Sequence, residues 1–79
     1  MSSAYIEVTD LYGGEANYCW VKRYELEDID GLTTNQIVRR LKRLAELNGV
    51  RWRKVAECGD YIQYKFIGWY ATAFIIMEY

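Results

Sequence analysis

Residues 32–49, LTTNQIVRRLKRLAELNG, decide the fold class because they contain the clearest helical pattern of the chain. Thr33 and Gln36 are three residues apart and fit a capping box, in which each side chain bonds the backbone N–H of the other residue. The pair 48–49, Asn-Gly, is a typical stop signal at the carboxyl end of a helix. These signals predict a helix over about residues 33–48.

The helix is predicted to be amphipathic. Leu32 and Ile37 fit the hydrophobic staple that often accompanies a capping box. Apolar residues recur on one side at helical spacing: Ile37, Val38, Leu41, Leu44 and Ala45. Charged residues occupy the other side: Arg39, Arg40, Lys42, Arg43 and Glu46. The apolar side should therefore pack on another layer of structure.

Outward from the helix, the remaining segments alternate apolar and polar residues or are rich in β-branched and aromatic types, which is typical of strands. The predicted strands cover residues 4–9, 17–26, 50–57, 61–67 and 70–77. Gly13-Gly14 and Cys58-Gly59-Asp60 supply turns. The order β-β-α-β-β-β predicts one α+β domain over residues 1–79, with two layers: one amphipathic helix packed on an antiparallel sheet.

Aromatic residues make up 16% of the chain, with eight Tyr, three Trp and two Phe, which is more than a thin core of this size can bury. Alternation along the second strand predicts that Tyr18, Trp20 and Tyr24 share one face with Lys22. One helix covers only one face of a sheet, so the other face must meet water or a partner. We interpret these three aromatic residues as candidate protein contacts, since Tyr and Trp are typical of binding hot spots.

Two other interpretations of the aromatic residues stay open. Tyr and Trp can complete a small core while their polar atoms reach solvent. An open aromatic face can also be covered by a second copy of the same chain, so a homodimer is as good an occupant as a host protein.

The charges are segregated along the chain. Residues 1–36 contain seven acidic and two basic residues, whereas residues 37–79 contain eight basic and four acidic residues, for a net charge of −1. The basic-surface candidates are Arg39, Arg40, Lys42, Arg43, Arg51, Arg53 and Lys54. With Trp52 among them, they suggest a nucleic-acid-binding module in which cations contact phosphates and an aromatic ring stacks on a base. A pI near 5.3 favours the alternative, a solvated helix face.

The composition argues against catalysis. The chain has no His, which is the commonest general acid–base and metal ligand. Cys19 and Cys58 are too far apart in sequence for a zinc pattern. No Walker-type or dinucleotide-binding glycine motif is present. The sequence therefore predicts no catalytic residues, no metal site, no cofactor and no enzyme activity.

The start of the chain has neither a basic n-region nor an apolar h-region, and the longest apolar stretch is far shorter than the roughly 20 residues that a membrane helix needs. A cytoplasmic location and no membrane partner are therefore expected. In that compartment Cys19 and Cys58 are expected to be free, half-buried thiols.

Residues 12–26, YGGEANYCWVKRYEL, resemble a segment of small uncharacterised bacteriophage and prophage proteins with the pattern GGEANYxWV(K/R)R. No catalytic role is attached to that segment. The resemblance implies a gene on a mobile element and a product that works in the host bacterial cytoplasm. It also implies stoichiometric action on a host protein or complex, for example as an inhibitor of host defence of the anti-CRISPR type.

Overall fold

The computed structural model describes residues 2–13 and 15–78. Its elements are β1 (Ser3–Tyr12), β2 (Glu15–Glu27), α1 (Thr34–Leu44), β3 (Trp52–Cys58), β4 (Tyr61–Phe66) and β5 (Ala71–Glu78). The predicted class is confirmed: these residues fold as a small α+β domain with one helix and one five-stranded antiparallel sheet. Gly13 adopts a left-handed φ of 64° in the predicted first turn, whereas Gly14 lies outside the described residues.

The spatial order of the strands is β2-β1-β5-β4-β3, so the last strand of the chain lies at the centre of the sheet. In the register of β1 with β5, Ile6 pairs with Ile75 and Ala4 with Met77. β2 and β3 form the two edges. Each edge strand contains an irregularity. The irregularity of β2 lies opposite residues 9–11 of β1, and that of β3 lies between Lys54 and Ala56.

The start of α1 agrees with the sequence. Thr33 caps the helix: its hydroxyl accepts a hydrogen bond from the Gln36 N–H at 3.2 Å, and the Gln36 side-chain oxygen accepts one from the Thr33 N–H at 2.9 Å. Both halves of the predicted capping box are therefore present.

The predicted end of the helix at residue 48 is wrong, because α1 ends at Leu44. Glu46 adopts a left-handed φ of 59°, and the Leu47 N–H bonds the Lys42 carbonyl at 2.9 Å. This six-to-one bond is the Schellman arrangement that ends many helices. It turns Leu47 back into the core, where its side chain is buried. The burial of Leu47 therefore ends the helix before Asn48-Gly49 is reached.

The core lies between α1 and one face of the sheet. Alternate residues of β1 (Ala4, Ile6 and Val8) are buried, as are Ile37 and Leu41 of α1. The main contacts of α1 are with β1 and β2. The helix therefore covers the β2–β1 half of this face, which we call the helix face, and something else must cover the β4–β3 half.

An aromatic stack covers that second half. The half-buried Trp52 of β3 stacks on Tyr64 of β4 with ring centroids 4.3 Å apart, and it lies 5.8 Å from the Phe66 ring. The Lys42 ammonium group of α1 lies 4.6 Å from the Trp52 ring centroid. The stack packs against the core cluster, so these rings replace a second helix on this side of the sheet.

Candidate functional site: an aromatic sheet face

The face of the sheet opposite α1 presents an aromatic cluster, which we call the open face. By strand alternation it contains the β1 residue Tyr5, the β4 residue Tyr61, and Phe74 and Ile76 of β5, and the register pairs Tyr5 with Ile76. The Phe74 ring lies 5.9 Å from the Tyr61 ring. All of these side chains are half-buried, and the Arg23 guanidinium of β2 lies 3.9 Å from the centroid of the Tyr5 ring.

Tyr18 joins this cluster from the irregular part of β2. Its φ of 57° is left-handed, which breaks the alternation of the strand. Its ring stacks on Phe74 at a centroid distance of 6.5 Å with an interplanar angle of 12°. The side chain remains 56% exposed. Burial, with a smaller contribution from Tyr18, raises the pKa of the Tyr61 phenol above its usual range.

Polar bonds hold the irregular segment of β2 in place. The Asp10 carboxylate accepts hydrogen bonds from the Asn17 side-chain amide and the Cys19 N–H, each at 2.9 Å. These bonds, with that of Asn17 the largest influence, lower the pKa of Asp10. The fully buried Thr9 donates its hydroxyl to the Trp20 carbonyl at 2.9 Å. The position of Tyr18 on the open face therefore depends on an anchored segment of backbone.

The three predicted contact residues do not share a face. Tyr18 lies on the open face. Tyr24 pairs with Ile6, is half-buried and packs against the core on the helix face. Trp20 lies in the irregular segment with its side chain 43% exposed. The shared face predicted from alternation is wrong, because the left-handed residue Tyr18 shifts the pattern.

A second exposed apolar surface lies where the β1–β2 and β4–β5 connections meet, and we call it the hairpin end. It contains Tyr12, Ile67, Trp69 and Tyr70. The Leu11 N–H bonds the Tyr70 carbonyl at 2.8 Å, which places the two connections side by side. Tyr12 is 80% and Tyr70 is 88% exposed.

The basic candidates divide among three places. Arg39, Arg40 and Arg43 are exposed on α1 and, with Gln36, line a depression of about 410 Å³, which we call the helix row. Lys42 instead lies over the Trp52 ring.

The remaining basic candidates lie on and before β3. Lys54 forms an ion pair with Glu57 at 3.0 Å, and this contact raises the pKa of Lys54. Arg53 pairs with Lys65 across β3 and β4, and Arg51 is exposed just before β3. Arg53 and Lys65 also line a depression of about 420 Å³ with Leu11 and Ile67, so the helix row is one of two cationic groups among the described residues.

A separate depression of about 530 Å³ lies at the carboxyl end of β2. Three acidic residues and two serines line it: Glu25, Glu27, Asp28, Ser2 and Ser3. The charge segregation predicted from the sequence therefore has a counterpart on the surface. Within residues 2–13 and 15–78, no three His, Cys, Asp or Glu side chains form a group that could hold a metal ion.

Cys19 and Cys58 are free, and both are exposed rather than half-buried as predicted. Exposure follows from their positions on the two edge strands, where no neighbouring strand covers them on one side. In the described part of the chain, no helix is long and apolar enough to cross a membrane.

Sequence reasoning missed Tyr5 and Tyr61 as members of the aromatic face, although period-two alternation in their strands carried the signal. It could not identify the hairpin end, because only the sheet brings its two connections together. Comparison with protein-family models, with curated proteins and with solved structures finds no match.

Proposed function

We propose that the chain is a non-catalytic binding protein that docks on a larger protein through the open face. The observation that carries this proposal is the aromatic cluster of Tyr18, Tyr61 and Phe74 on a sheet face that α1 does not cover. Large contiguous apolar patches on the surface of a monomer often mark a binding site.

The chemistry of the open face suits a protein surface. Tyrosines supply large, rigid contact area and a hydroxyl that can bond at the rim of an interface. Glu25 and Glu27 of β2 border one end of the face beside Arg23, which lies over the Tyr5 ring, and Lys65 lies toward the other end. A partner with complementary charges would bind in one orientation. The hairpin end offers a second contact region with exposed Trp69 and Tyr70.

The resemblance of residues 12–26 to phage and prophage proteins suggests the class of partner. On that basis we propose a bacterial host protein or complex, bound stoichiometrically in the cytoplasm, with inhibition of a host defence system as the outcome. This part of the proposal depends on the resemblance, whereas the binding surface depends on the open face.

The test is quantitative affinity capture from host lysate followed by mass spectrometry, with three forms of the chain as bait. A Tyr18→Ala/Phe74→Thr variant removes the centre of the open face and should lose the captured protein. An Arg39→Gln/Arg43→Gln variant alters the helix row alone and should retain it. Circular dichroism should show that both variants remain folded. Retention by the open-face variant with loss by the helix-row variant would refute this docking surface.

A nucleic-acid-binding module remains the second candidate, and the helix row favours it because three guanidinium groups line one depression. That candidate predicts oligonucleotide affinity that falls steeply as salt is raised and falls again in the Arg39→Gln/Arg43→Gln variant. The structure weakens one argument for it, since Trp52 stacks on Tyr64 and Lys42 rather than presenting a free ring to a base.

A further inference from the structure

Among residues 2–13 and 15–78, no strand lies beside the long outer edge of β2. β2 has 13 residues and pairs with β1 on one side only. Its register with β1 is continuous from Val21 to Glu27, with no bulge in that stretch. The other edge strand, β3, has seven residues and a register shift near its middle. Bulges and short length protect edges from pairing with other chains, so β3 is protected and the second half of β2 is not.

The hydrogen-bond pattern shows which backbone groups face outward. The Asp28 N–H bonds the Ser2 carbonyl at 3.0 Å, so Asp28 directs its N–H toward β1. In an antiparallel pair this direction alternates along the strand. Even-numbered residues of this stretch therefore face β1, and the odd-numbered residues from 21 to 27 present their N–H and C=O groups to the outside.

The charges of β2 select one way for two copies to pair through these groups. Within its own chain Arg23 pairs with Glu7 of β1, and its guanidinium lies 3.9 Å from the Tyr5 ring centroid. Antiparallel pairing about a two-fold axis at Tyr24 also places Arg23 opposite the partner's Glu25, and the symmetry repeats this contact. Lys22 then lies opposite the partner's Leu26, so no two like charges are opposed. Opposite charges across strands stabilise a pair, whereas like charges destabilise it.

Neighbouring registers are unfavourable. A two-fold axis at residue 22, 23 or 25 would place Lys22, Arg23 or Glu25, respectively, opposite the same residue of the partner. An axis at residue 26 would place Glu25 opposite the partner's Glu27. Each of these registers therefore brings like charges together. An axis at residue 21 would include the irregular segment, with its left-handed residue Tyr18, in the paired stretch. We infer that a second copy of this chain pairs with β2 in the register centred on Tyr24, which joins two sheets into one of ten strands.

The joined sheet would also bring the two copies of α1 close together, and each copy carries Arg39, Arg40, Lys42 and Arg43 with no acidic residue between Thr34 and Leu44. Because α1 lies over β1 and β2, the helices of the two copies would lie on the same side of the joined sheet. A strand spacing of about 4.8 Å puts their axes roughly 10 Å apart, close to the distance at which helices pack. The paired stretch is short, so the dimer belongs to the class of weak associations. This inference does not rest on the proposed function: the aromatic cluster of Tyr18, Tyr61 and Phe74 is left free, and only the border of the open face at Glu25 is shared with the dimer.

Sedimentation velocity over a concentration series tests the inference, and the wild-type chain should form dimers as its concentration rises. Glu25→Arg or Arg23→Glu should weaken the dimer roughly tenfold, because each makes two like-charge contacts. The double variant Arg23→Glu/Glu25→Arg exchanges the charges and should restore it. Glu25→Pro removes an outward N–H, which an edge strand tolerates, and should abolish the dimer while the monomer stays folded.

Arg53→Glu provides the control, since it reverses a charge on the opposite edge and should leave dimerisation unchanged. A wild-type chain that is monomeric at every concentration would overturn the inference. So would a charge exchange that fails to restore the dimer. If Tyr18→Ala/Phe74→Thr abolished the dimer while Glu25→Pro retained it, the copies would meet through the open face and the β2 pairing would be wrong.

Discussion

Replacing Trp52 with Ala removes the ring that covers the β4–β3 half of the helix face. In the structure this ring stacks on Tyr64 and lies close to Phe66, and Lys42 of α1 contacts its face. The Trp69 ring meets Phe66 edge-on at 5.7 Å, but among the described residues no ring other than Trp52 stacks on Tyr64. Loss of the Trp52 ring should therefore expose Tyr64, leave Phe66 covered on the Trp69 side only, and weaken the attachment of β3.

The expected cost follows from burial and stacking. A fully buried Trp→Ala replacement costs about 3–5 kcal/mol, and the half-buried position of Trp52 reduces this to roughly 2 kcal/mol. The stack with Tyr64 adds about 0.5–1.5 kcal/mol. A total near 3 kcal/mol should lower the melting temperature of a domain of this size by roughly 12–24 °C.

Thermal and urea denaturation followed by circular dichroism measures this loss. Tyr70→Ala is the matched control, because its side chain is 88% exposed and its loss should change stability by less than about 0.5 kcal/mol. Trp52→Phe keeps a ring on Tyr64 and should recover about half of the loss. If Trp52→Ala were no less stable than Tyr70→Ala, the stack would not be a part of the core. A stable Trp52→Ala that lost oligonucleotide affinity would favour the nucleic-acid alternative.

Two further predictions concern backbone and pH. Glu46→Gly should raise the free energy of unfolding by about 0.5–1 kcal/mol, because glycine adopts the left-handed φ of 59° without the penalty that a Cβ carries. Glu46→Ala keeps that penalty and should show no gain in urea denaturation; equal stabilisation by both would contradict the argument. Asn17→Ala should raise the pKa of Asp10, measured by NMR titration, because the Asn17 amide is the largest cause of its lowering. Since the folded-state pKa of Asp10 is below the unfolded value, its contribution to stability is present above pH 3.8 and is lost as the pH falls through the folded pKa. An unchanged pKa in Asn17→Ala would refute this assignment.

The helix start was predictable because its signals are local. Thr33 and Gln36 bond each other across three residues, and no distant contact is needed to form a capping box. The end of the helix was not predictable in the same way. Asn48-Gly49 is a strong local signal, but the burial of Leu47 in the core overrides it.

The candidate site, too, was predictable from the sequence where its signals are local and was not where they depend on distant contacts. Alternation in β5 was enough to place Phe74 and Ile76 on one face. The placement of Tyr18 depends on Asp10 and Thr9, which anchor the irregular segment across the β1–β2 pair. No pattern within β2 contains that information, so alternation grouped Tyr18 with Tyr24 although they lie on opposite faces.

The sequence by itself determined the α+β class, the cap of α1 and the approximate extents of the five strands, because propensity, alternation and capping act over a few residues. Only the tertiary structure decided that β5 lies at the centre of the sheet and β2 at its edge. It also decided that Trp52 belongs to the core while Tyr18 belongs to the surface. These outcomes depend on pairings between residues far apart in the chain, whose stability comes from the burial of whole faces.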